Sequence, residues 1–329
     1  KVELFDVAKI VRDSGRAGSV ADPLVHSLKE AVGLFNADAV PFVHFGCGAQ
    51  ELVDSAMALL TREAVALVDA DLARAVQALL VQAERHATTP MLARPLGQPD
   101  TVTSFGRVCV DWAAPLARRR ERLAGAARRA LQVRFGAGDG VDDRMQGQGA
   151  AVRRQLAEAL GLRDPGADGR SERDDWIALG CELGLLIGSL GRVASDIALL
   201  ARSEIAELAE AGDPARGQRP ASVVALAAAQ RAPQRVAALL AGMPQAHSPG
   251  SWQAELAEWP QLLMSAHGSA RALADALPGL QVDAARMLSN IEQLRLDPAQ
   301  AEAAGVQALA QVLVLQSAPE PVDPSDIAG

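Results

Sequence analysis

The chain has 329 residues, of which 49% are hydrophobic, so it is long and apolar enough to bury a sizeable core. Tyrosine is absent and aromatic residues reach only 3%, whereas alanine and leucine abound; this excludes a sheet-rich protein and favours helices. The formal net charge of -8 argues against nucleic acid as a partner, because binding phosphate requires a basic surface.

Six long blocks have the apolar spacing of helices. In the first, Leu72, Val76, Leu79 and Leu80 fall on one helical face. In chain order the predicted helices cover residues 51–86, about 105–133 with a kink at Pro115, 173 to about 210, 221–240, 253–277, and 282 to about 316. The breaks between them are rich in glycine, proline and charge, and in a bundle they lie at the helix ends, where sites can form.

The third block carries an unusual glycine pattern. Gly180, Gly184 and Gly188 recur every four residues, although glycine costs up to ~1 kcal/mol per site inside a helix. Their register predicts the close approach of another backbone. The block is apolar on nearly all sides, so several neighbours must bury it. We therefore predict an all-α protein, a long-helix bundle whose core is extended by oligomerisation.

Cys47, Cys109 and Cys181 lie far apart and form no Cys-x-x-Cys or Cys/His cluster, so neither a disulfide framework nor a zinc site is predicted. The N-terminus lacks the pattern of a signal peptide. The most apolar stretch, residues 176–201, contains three charged residues, which favours a buried helix over a membrane span. These features predict a cytoplasmic protein with no nucleic-acid and no membrane partner.

Several segments carry a resemblance to a known family through their order, spacing and flanking residues. They are VHFGCGAQELVDSAMALL, ERHATTPMLARPLGQPDTVTSFG, LQVRFGAG, LGLLIGSLGRVASDIALLARSEIAEL, AAAQRAPQRVAALLAGMPQAH, WQAELAEWPQLL and VDAARM. The chain resembles the fumarase/aspartase superfamily from Phe5 to about Leu296, in particular its 3-carboxy-cis,cis-muconate cycloisomerase branch. Adenylosuccinate lyase is a more distant relative.

The resemblance implies a homotetramer built on a long-helix bundle, with each active site assembled from three sequence regions of three chains. It implies a small carboxylate substrate and closure of a muconate to a lactone without metal or cofactor, in protocatechuate breakdown through the β-ketoadipate pathway. It also suggests a domain division. Residues 1–45 are expected to be a remnant of an N-terminal helical domain, 46–317 the central bundle and 318–329 a disordered tail, with the family's C-terminal domain absent.

The first family region has lost its hydroxyl groups. The family reads Gly-Ala-Thr-Ser-Gln-Asp, and its Thr and Ser bind the substrate carboxylate; here Gly48 and Ala49 stand in their places. His44 and Gln50 match the family. Two interpretations stay open: His44 is a weak catalytic candidate and Gln50 binds substrate, or both residues cap a helix and satisfy buried polar groups.

The second region keeps part of its polar set. Arg94 and Gln98 match the family and are predicted to bind substrate. The family's threonine is replaced by Pro95, which removes a hydroxyl and an N–H. Its acid/base histidine falls at Leu96 or at Pro99, so no imidazole is present at either position.

The third region is the family's mobile loop, whose serine is the usual base and whose lysine and asparagine bind carboxylate. Here residues 210–220 contain neither serine nor lysine. Arg216 and Arg219 are predicted to bind an anionic substrate. Neither can act as a base, because a guanidinium group stays protonated at neutral pH.

Other residues offer replacements for the missing groups. His247 matches the family and is a second weak catalytic candidate, with Glu255 and Glu258 as an acid/base set; a structural role is the alternative. We interpret His86 as a helix-end residue. The aspartates between Asp139 and Asp143 read as a solvated acidic loop and not as a metal site.

Two functional hypotheses follow. By resemblance the chain is a cycloisomerase of the carboxymuconate type, whose activity is in question because the family's serine, histidine and hydroxyl motifs are missing. The alternative is a catalytically inactive helical scaffold or a partner subunit of an active paralogue, because losing several catalytic groups together leaves little beyond binding.

Overall fold

The computed structural model describes residues 5–94, 99–136, 145–166, 173–210, 220–245 and 250–316. Within these residues the chain is mostly helical, as the composition predicts. The α-helices are α1 (Val7–Ala17), α2 (Ala21–Gly33), α3 (Ala49–Arg85), α4 (Phe105–Ala130), α5 (Gly149–Leu160), α6 (Asp174–Leu200), α7 (Ala221–Gly242), α8 (Ser251–Ala276), α9 (Ala284–Gln293) and α10 (Gln300–Gln316). The strands are β1 (Pro90–Ala93), β2 (Thr101–Ser104), β3 (Leu208–Ala209) and β4 (Gln281–Val282). Short 3-10 helices cover Ala37–Phe42, Met243–Gln245 and Leu277–Gly279.

Four of the six predicted helices are found close to their expected bounds, as α3, α4, α7 and α8. The other two differ. The predicted helix of residues 173–210 ends at Leu200, because the chain then turns through Ala206, which has a φ of 52°, and pairs β3 with β4. The predicted helix of residues 282–316 is split into α9 and α10, with Arg295 at a φ of 58° and Pro298 in the break.

The break predicted after α3 holds a β-hairpin. Strands β1 and β2 pair antiparallel, with Pro90 opposite Ser104 and Ala93 opposite Thr101. The outer edge of β2 is covered by α10, since the Val102 N–H donates to Gln300 Oε1 at 3.2 Å. Strand β1 ends at Ala93, and Arg94 follows it directly.

The described residues form two compact units. The first lies within residues 1–63 and 128–172, and the second within 64–127 and 173–323. The first unit contains α1, α2, the beginning of α3, the end of α4 and α5. Its helix ends are capped by side chains: Asp6 accepts from the Lys9 N–H at 2.9 Å, and Arg62 donates to the carbonyls of Leu160 and Gly161 at 2.8 Å each.

The second unit is built on α6, α7 and α8, which pack side by side. The glycines of α6 permit this packing. A Cβ at Gly184 would lie 2.5 Å from Val236, and one at Gly191 would lie 2.4 Å from Ala229, so α7 approaches where α6 has no side chain. At Gly188, in contrast, no atom of the described residues lies within 4 Å of such a Cβ. The close neighbour at Gly184 is thus the Val236 side chain and not the predicted backbone, whereas backbone atoms of α7 come within 4 Å at Gly191, which the spacing did not single out.

Aromatic stacking closes one end of the same packing. Trp176 of α6 and Trp259 of α8 stack with their centroids 4.0 Å apart, and both are buried. A Cβ at Gly180 would lie 2.9 Å from Leu239 and 3.1 Å from Trp259. The absence of a side chain at Gly180 therefore leaves room for the Trp259 indole ring.

Among the described helices, α6 alone is long and apolar enough to cross a membrane. Length and composition are the only grounds for this. Half of its most apolar window is buried inside the protein, as in the core helix of a soluble protein.

Candidate functional site

Arg94 follows directly after β1 and is held by an ion pair. Its Nη2 lies 2.6 Å from Glu207 Oε1, and its Nη1 donates to Oε2 at 2.8 Å and to the Leu92 carbonyl at 3.2 Å. The side chain of Arg94 is 21% exposed, whereas that of Glu207 is 0% exposed. This bidentate geometry is the strongest that arginine and a carboxylate can form. The two residues are 113 positions apart in the chain, so the pair joins two parts of the sequence that are far from each other.

Glu207 is oriented from its other side by α9. The Asn290 amide Nδ2 donates to Glu207 Oε1 at 2.7 Å and to the Ile205 carbonyl at 3.1 Å. The main chain is fixed as well, because the Glu207 N–H donates to the Leu200 carbonyl and the Asp283 N–H donates to the Glu207 carbonyl, both at 3.0 Å. One polar cluster thus contains Arg94, Glu207 and Asn290, which lie just after β1, just before β3 and within α9.

The cluster changes the electrostatics around Arg94. A carboxylate at hydrogen-bond distance compensates the guanidinium charge, so Arg94 offers an anionic substrate much less attraction than an unpaired arginine would. Its role in binding substrate stays a prediction. Glu207 and Asn290 were missed by sequence reasoning, since the only signal was a single acidic residue between the apolar Ala206 and Leu208.

Glu210, the first residue of the third family region, is hydrogen-bonded to the start of α7. Glu210 accepts from the Ser222 main-chain N–H at 3.0 Å and from the Ser222 hydroxyl. Ser222 is buried in the first turn of α7, where the helix dipole favours a negative group. The chain thus places its own carboxylate on a helix N-terminus that could otherwise bind an anion.

The first family region lies at the start of α3. Glu51 is buried, and its Oε2 accepts from the Gly48 N–H at 2.6 Å, as in half of a capping box. Gln50 is half-buried in the same first turn. His44 has a φ of 60°, and its buried Nε2 has no hydrogen-bond partner among the described residues. The helix is therefore capped by Glu51, while the roles of His44 and Gln50 at a substrate stay predictions.

Cys47 stands in this region but is not a reactive thiol. Burial, and then the nearby Glu51 carboxylate, raise the pKa of Cys47 to about 12. Its Sγ contacts the Gly48 carbonyl at 3.5 Å. The thiol is therefore protonated at neutral pH and can serve neither as nucleophile nor as base.

His86 is placed at a helix end, as predicted from the sequence. It directly follows α3; its Nδ1 lies 3.1 Å from the Thr89 hydroxyl, and its ring contacts Phe105 edge-on with the centroids 5.6 Å apart. Burial, and then the Arg85 charge, lower the pKa of His86. The imidazole thus joins the end of α3 to the start of α4.

Several predicted site residues lie outside the described residues: Gln98, Arg216, Arg219, His247 and the aspartates between Asp139 and Asp143. They stay predictions. Glu255, considered above as a partner of His247, forms an ion pair with Arg173 at the start of α6. Within the described part of the chain, no three metal-binding side chains converge.

Comparisons with known proteins agree with this architecture. The profile of a family described as Lyase matches residues 4–218. The 3-carboxy-cis,cis-muconate cycloisomerase of Bradyrhizobium diazoefficiens is 35% identical over 89% of this chain and 67% of its own length. That of Pseudomonas aeruginosa is 36% identical over 88% of this chain and 66% of its own length. The crystal structure of 3-carboxy-cis,cis-muconate lactonizing enzyme from Pseudomonas putida superposes with a TM-score of 0.87 at 26% identity, covering 96% of this chain and 87% of that one.

The chain belongs to the carboxymuconate cycloisomerase branch of the fumarase/aspartase superfamily. The predicted fold class, an all-α long-helix bundle of this superfamily, is confirmed. The chain spans about two thirds of the length of the curated cycloisomerases it matches.

Within this cycloisomerase branch, the described residues show where the family regions stand. Arg94 of the second region belongs to the cluster with Glu207 and Asn290 in the second compact unit, and Glu207 lies three residues before the start of the third region. The first region, with His44 and Gln50, lies in the first unit.

Proposed function

We propose that this chain is a helical subunit of the carboxymuconate cycloisomerase type that does not itself close the lactone and that assembles with a catalytically complete homologue. The chain retains the helical bundle but lacks the family's serine and histidine, which transfer protons. Lactone closure by addition to a double bond needs a group that exchanges the proton α to a carboxylate, and donors that hold the developing negative charge.

One observation carries the proposal: the matched arginine of the second region is already paired. The Arg94 guanidinium makes two short hydrogen bonds to the fully buried Glu207. The Asn290 amide donates a further hydrogen bond to the same carboxylate. A substrate carboxylate would have to compete with a preorganised carboxylate for the same fork of N–H donors. The arrangement therefore favours a structural role for Arg94.

The sequence supports the same conclusion at the other family positions. No lysine follows Lys29, and no histidine lies between His86 and His247. Residues 210–220 contain no serine. Cys47 is protonated at neutral pH, so it does not replace the missing base.

The proposed assembly explains why the helical bundle is retained although the family's catalytic residues are missing. In the family, three chains contribute to each active site, so a subunit without its own base can complete the site of another subunit. We propose a cytoplasmic hetero-oligomer, with a homotetramer as the form of the chain alone. A small carboxylate ligand would bind only at the sites that the homologue completes.

Co-expression tests this proposal. The chain would carry an affinity tag, and an untagged cycloisomerase with a complete serine loop would be expressed with it and alone. We expect the homologue to co-purify in a stable stoichiometric complex that retains cycloisomerase activity. Elution of the two proteins as separate homo-oligomers at micromolar concentration would contradict the proposal. A tagged, unrelated helical bundle serves as the control for non-specific retention.

A second candidate function is the lactonising reaction itself. The 35% identity to the Bradyrhizobium cycloisomerase over 89% of this chain favours it. Under this alternative, Arg94, Gln98 and Gln50 would bind the substrate, and His44 or His247 would supply the base. Turnover of 3-carboxy-cis,cis-muconate by the purified chain, abolished in His247→Asn but retained in the surface variant His26→Asn, would support this alternative and overturn the first.

A further inference from the structure

The side chains of Arg94 and Asn290 present N–H donors that fit a single carboxylate group. The guanidinium donates through Nη2 to Oε1 of Glu207 at 2.6 Å and through Nη1 to Oε2 at 2.8 Å, and the Asn290 amide donates to Oε1 at 2.7 Å. Both oxygens of the carboxylate are thereby bound. These contacts involve only the carboxylate group of Glu207, so another carboxylate in the same place would satisfy the same donors.

Other hydrogen bonds hold these donors in position. Arg94 Nη1 also donates to the Leu92 carbonyl at 3.2 Å, and Asn290 Nδ2 also donates to the Ile205 carbonyl at 3.1 Å. The same carbonyl accepts from Arg286 Nε at 3.1 Å. The donors therefore stay oriented toward one point when the Glu207 side chain is removed. Donors that are already oriented bind a ligand at a lower entropic cost than mobile ones.

The Glu207 carboxylate is delivered to these donors by a fixed main chain. The Glu207 N–H donates to the Leu200 carbonyl, and the Glu207 carbonyl accepts from the Asp283 N–H, both at 3.0 Å. A carboxylate that is attached to the chain in this way has an advantage over a free one, because a free ligand loses translational and rotational freedom on binding. Glu207 is thus expected to exclude free carboxylates from the donors.

The cluster can be reached by solvent only from the side of Arg94. The Arg94 side chain is 21% exposed, whereas that of Glu207 is 0% exposed and Asn290 is buried. A ligand that takes the place of the Glu207 side chain must therefore be small. Since the donors converge on one group, the matching ligand class is a small monocarboxylate.

We propose that Glu207 is an autoinhibitory side chain, whose carboxylate occupies a carboxylate-binding site formed by Arg94 and Asn290. The inference rests on the proposed function, in which Arg94 is not available to a substrate. It adds that the binding site itself is intact and that the chain blocks it with its own carboxylate. Removing the Glu207 side chain should therefore give the site to an external monocarboxylate.

Chemical rescue of Glu207→Ala tests this inference. The substitution removes one methylene and the carboxylate, which together have nearly the size of acetate. We expect sodium acetate to stabilise this variant, as measured by urea unfolding against sodium chloride at equal ionic strength. At about ten times its dissociation constant, acetate should raise the equilibrium constant of folding by about elevenfold. Acetamide, which has no charge, and butyrate, which is two methylenes longer, should lack this effect.

Three control proteins separate the site from a general effect of acetate. The wild type should not respond, because Glu207 fills the site. Glu204→Ala should not respond either, because it breaks the surface pair with Arg202, whose side chain is 63% exposed. In the double variant Arg94→Met with Glu207→Ala, the acetate effect should be lost, since the fork of N–H donors is missing.

Acetate that stabilises Glu207→Ala no more than the wild type, or as much as the double variant, would overturn the inference. If Glu207→Ala does not fold in chloride, its refolding yield is compared in the two salts, and equal yields would overturn it as well. Co-purification with the homologue tests the proposed function separately. A stable complex without acetate rescue removes only this inference, and acetate rescue without a complex removes only the proposed assembly.

Discussion

Replacing Arg94 with methionine tests whether its pair with Glu207 is a structural bond. The change leaves the Glu207 carboxylate 0% exposed, with Asn290 as the remaining side-chain donor among the described residues. Removing one partner of a buried pair costs about 3–5 kcal/mol. Because Arg94 is itself 21% exposed and Asn290 is kept, we expect the lower end, about 3 kcal/mol of unfolding free energy. Glu207→Gln leaves a guanidinium that water can reach, so it should cost less, about 1–2 kcal/mol.

The matched control is the surface pair of Arg202 and Glu204, whose side chains are 63% and 56% exposed. Arg202→Met should cost no more than about 0.5 kcal/mol. Urea unfolding of the wild type, Arg94→Met, Glu207→Gln and the double variant would complete a double-mutant cycle. We expect the double variant to lose less than the sum of the single variants. If Arg94→Met is as mild as Arg202→Met, the pair is not structural and Arg94 is available for ligands.

Three further predictions concern the helices and the titrating groups. Gly191→Ala should destabilise the protein, because the new Cβ would lie 2.4 Å from Ala229, whereas Gly188→Ala, in open space, should stabilise it by up to ~1 kcal/mol; thermal melting distinguishes them. Cys47, with a pKa near 12, should react with iodoacetamide at pH 8 far more slowly in the native protein than in denaturant, because only about one thiol in ten thousand is ionised; equal rates would contradict the prediction. The pKa of His86 is lowered on folding, so its contribution to stability is present above the unfolded pKa near 6.5 and is lost as the pH falls through the folded pKa. The unfolding midpoint of His86→Gln should therefore decrease less than that of the wild type when the pH is lowered across this range.

The long helices were predictable because their signal is local. The residues Leu72, Val76, Leu79 and Leu80 repeat with the helical period, and all four are buried on α3. The glycines of α6 indicated a close neighbour, but not which of them faces it. The outcome depended on the phase of the helix relative to α7, which is set by packing and not by the glycine spacing.

The end of α6 and the polar cluster could not be predicted, because both depend on partners far along the chain. The helical pattern continues beyond Leu200, yet pairing of β3 with β4 ends the helix there. Arg94 was recognised from its motif, but Glu207 lies 113 residues away and Asn290 a further 83 residues from Glu207. The motif identifies Arg94, but it does not show which residues Arg94 contacts.

The most direct measurement is the rate at which the purified chain alone consumes 3-carboxy-cis,cis-muconate, followed by the loss of muconate absorbance. A cycloisomerase with its full set of proton-transfer groups, assayed in parallel, is the positive control. We predict a rate no different from that of the uncatalysed reaction at every enzyme concentration. A rate that rises in proportion to enzyme and that His247→Asn abolishes would contradict the account.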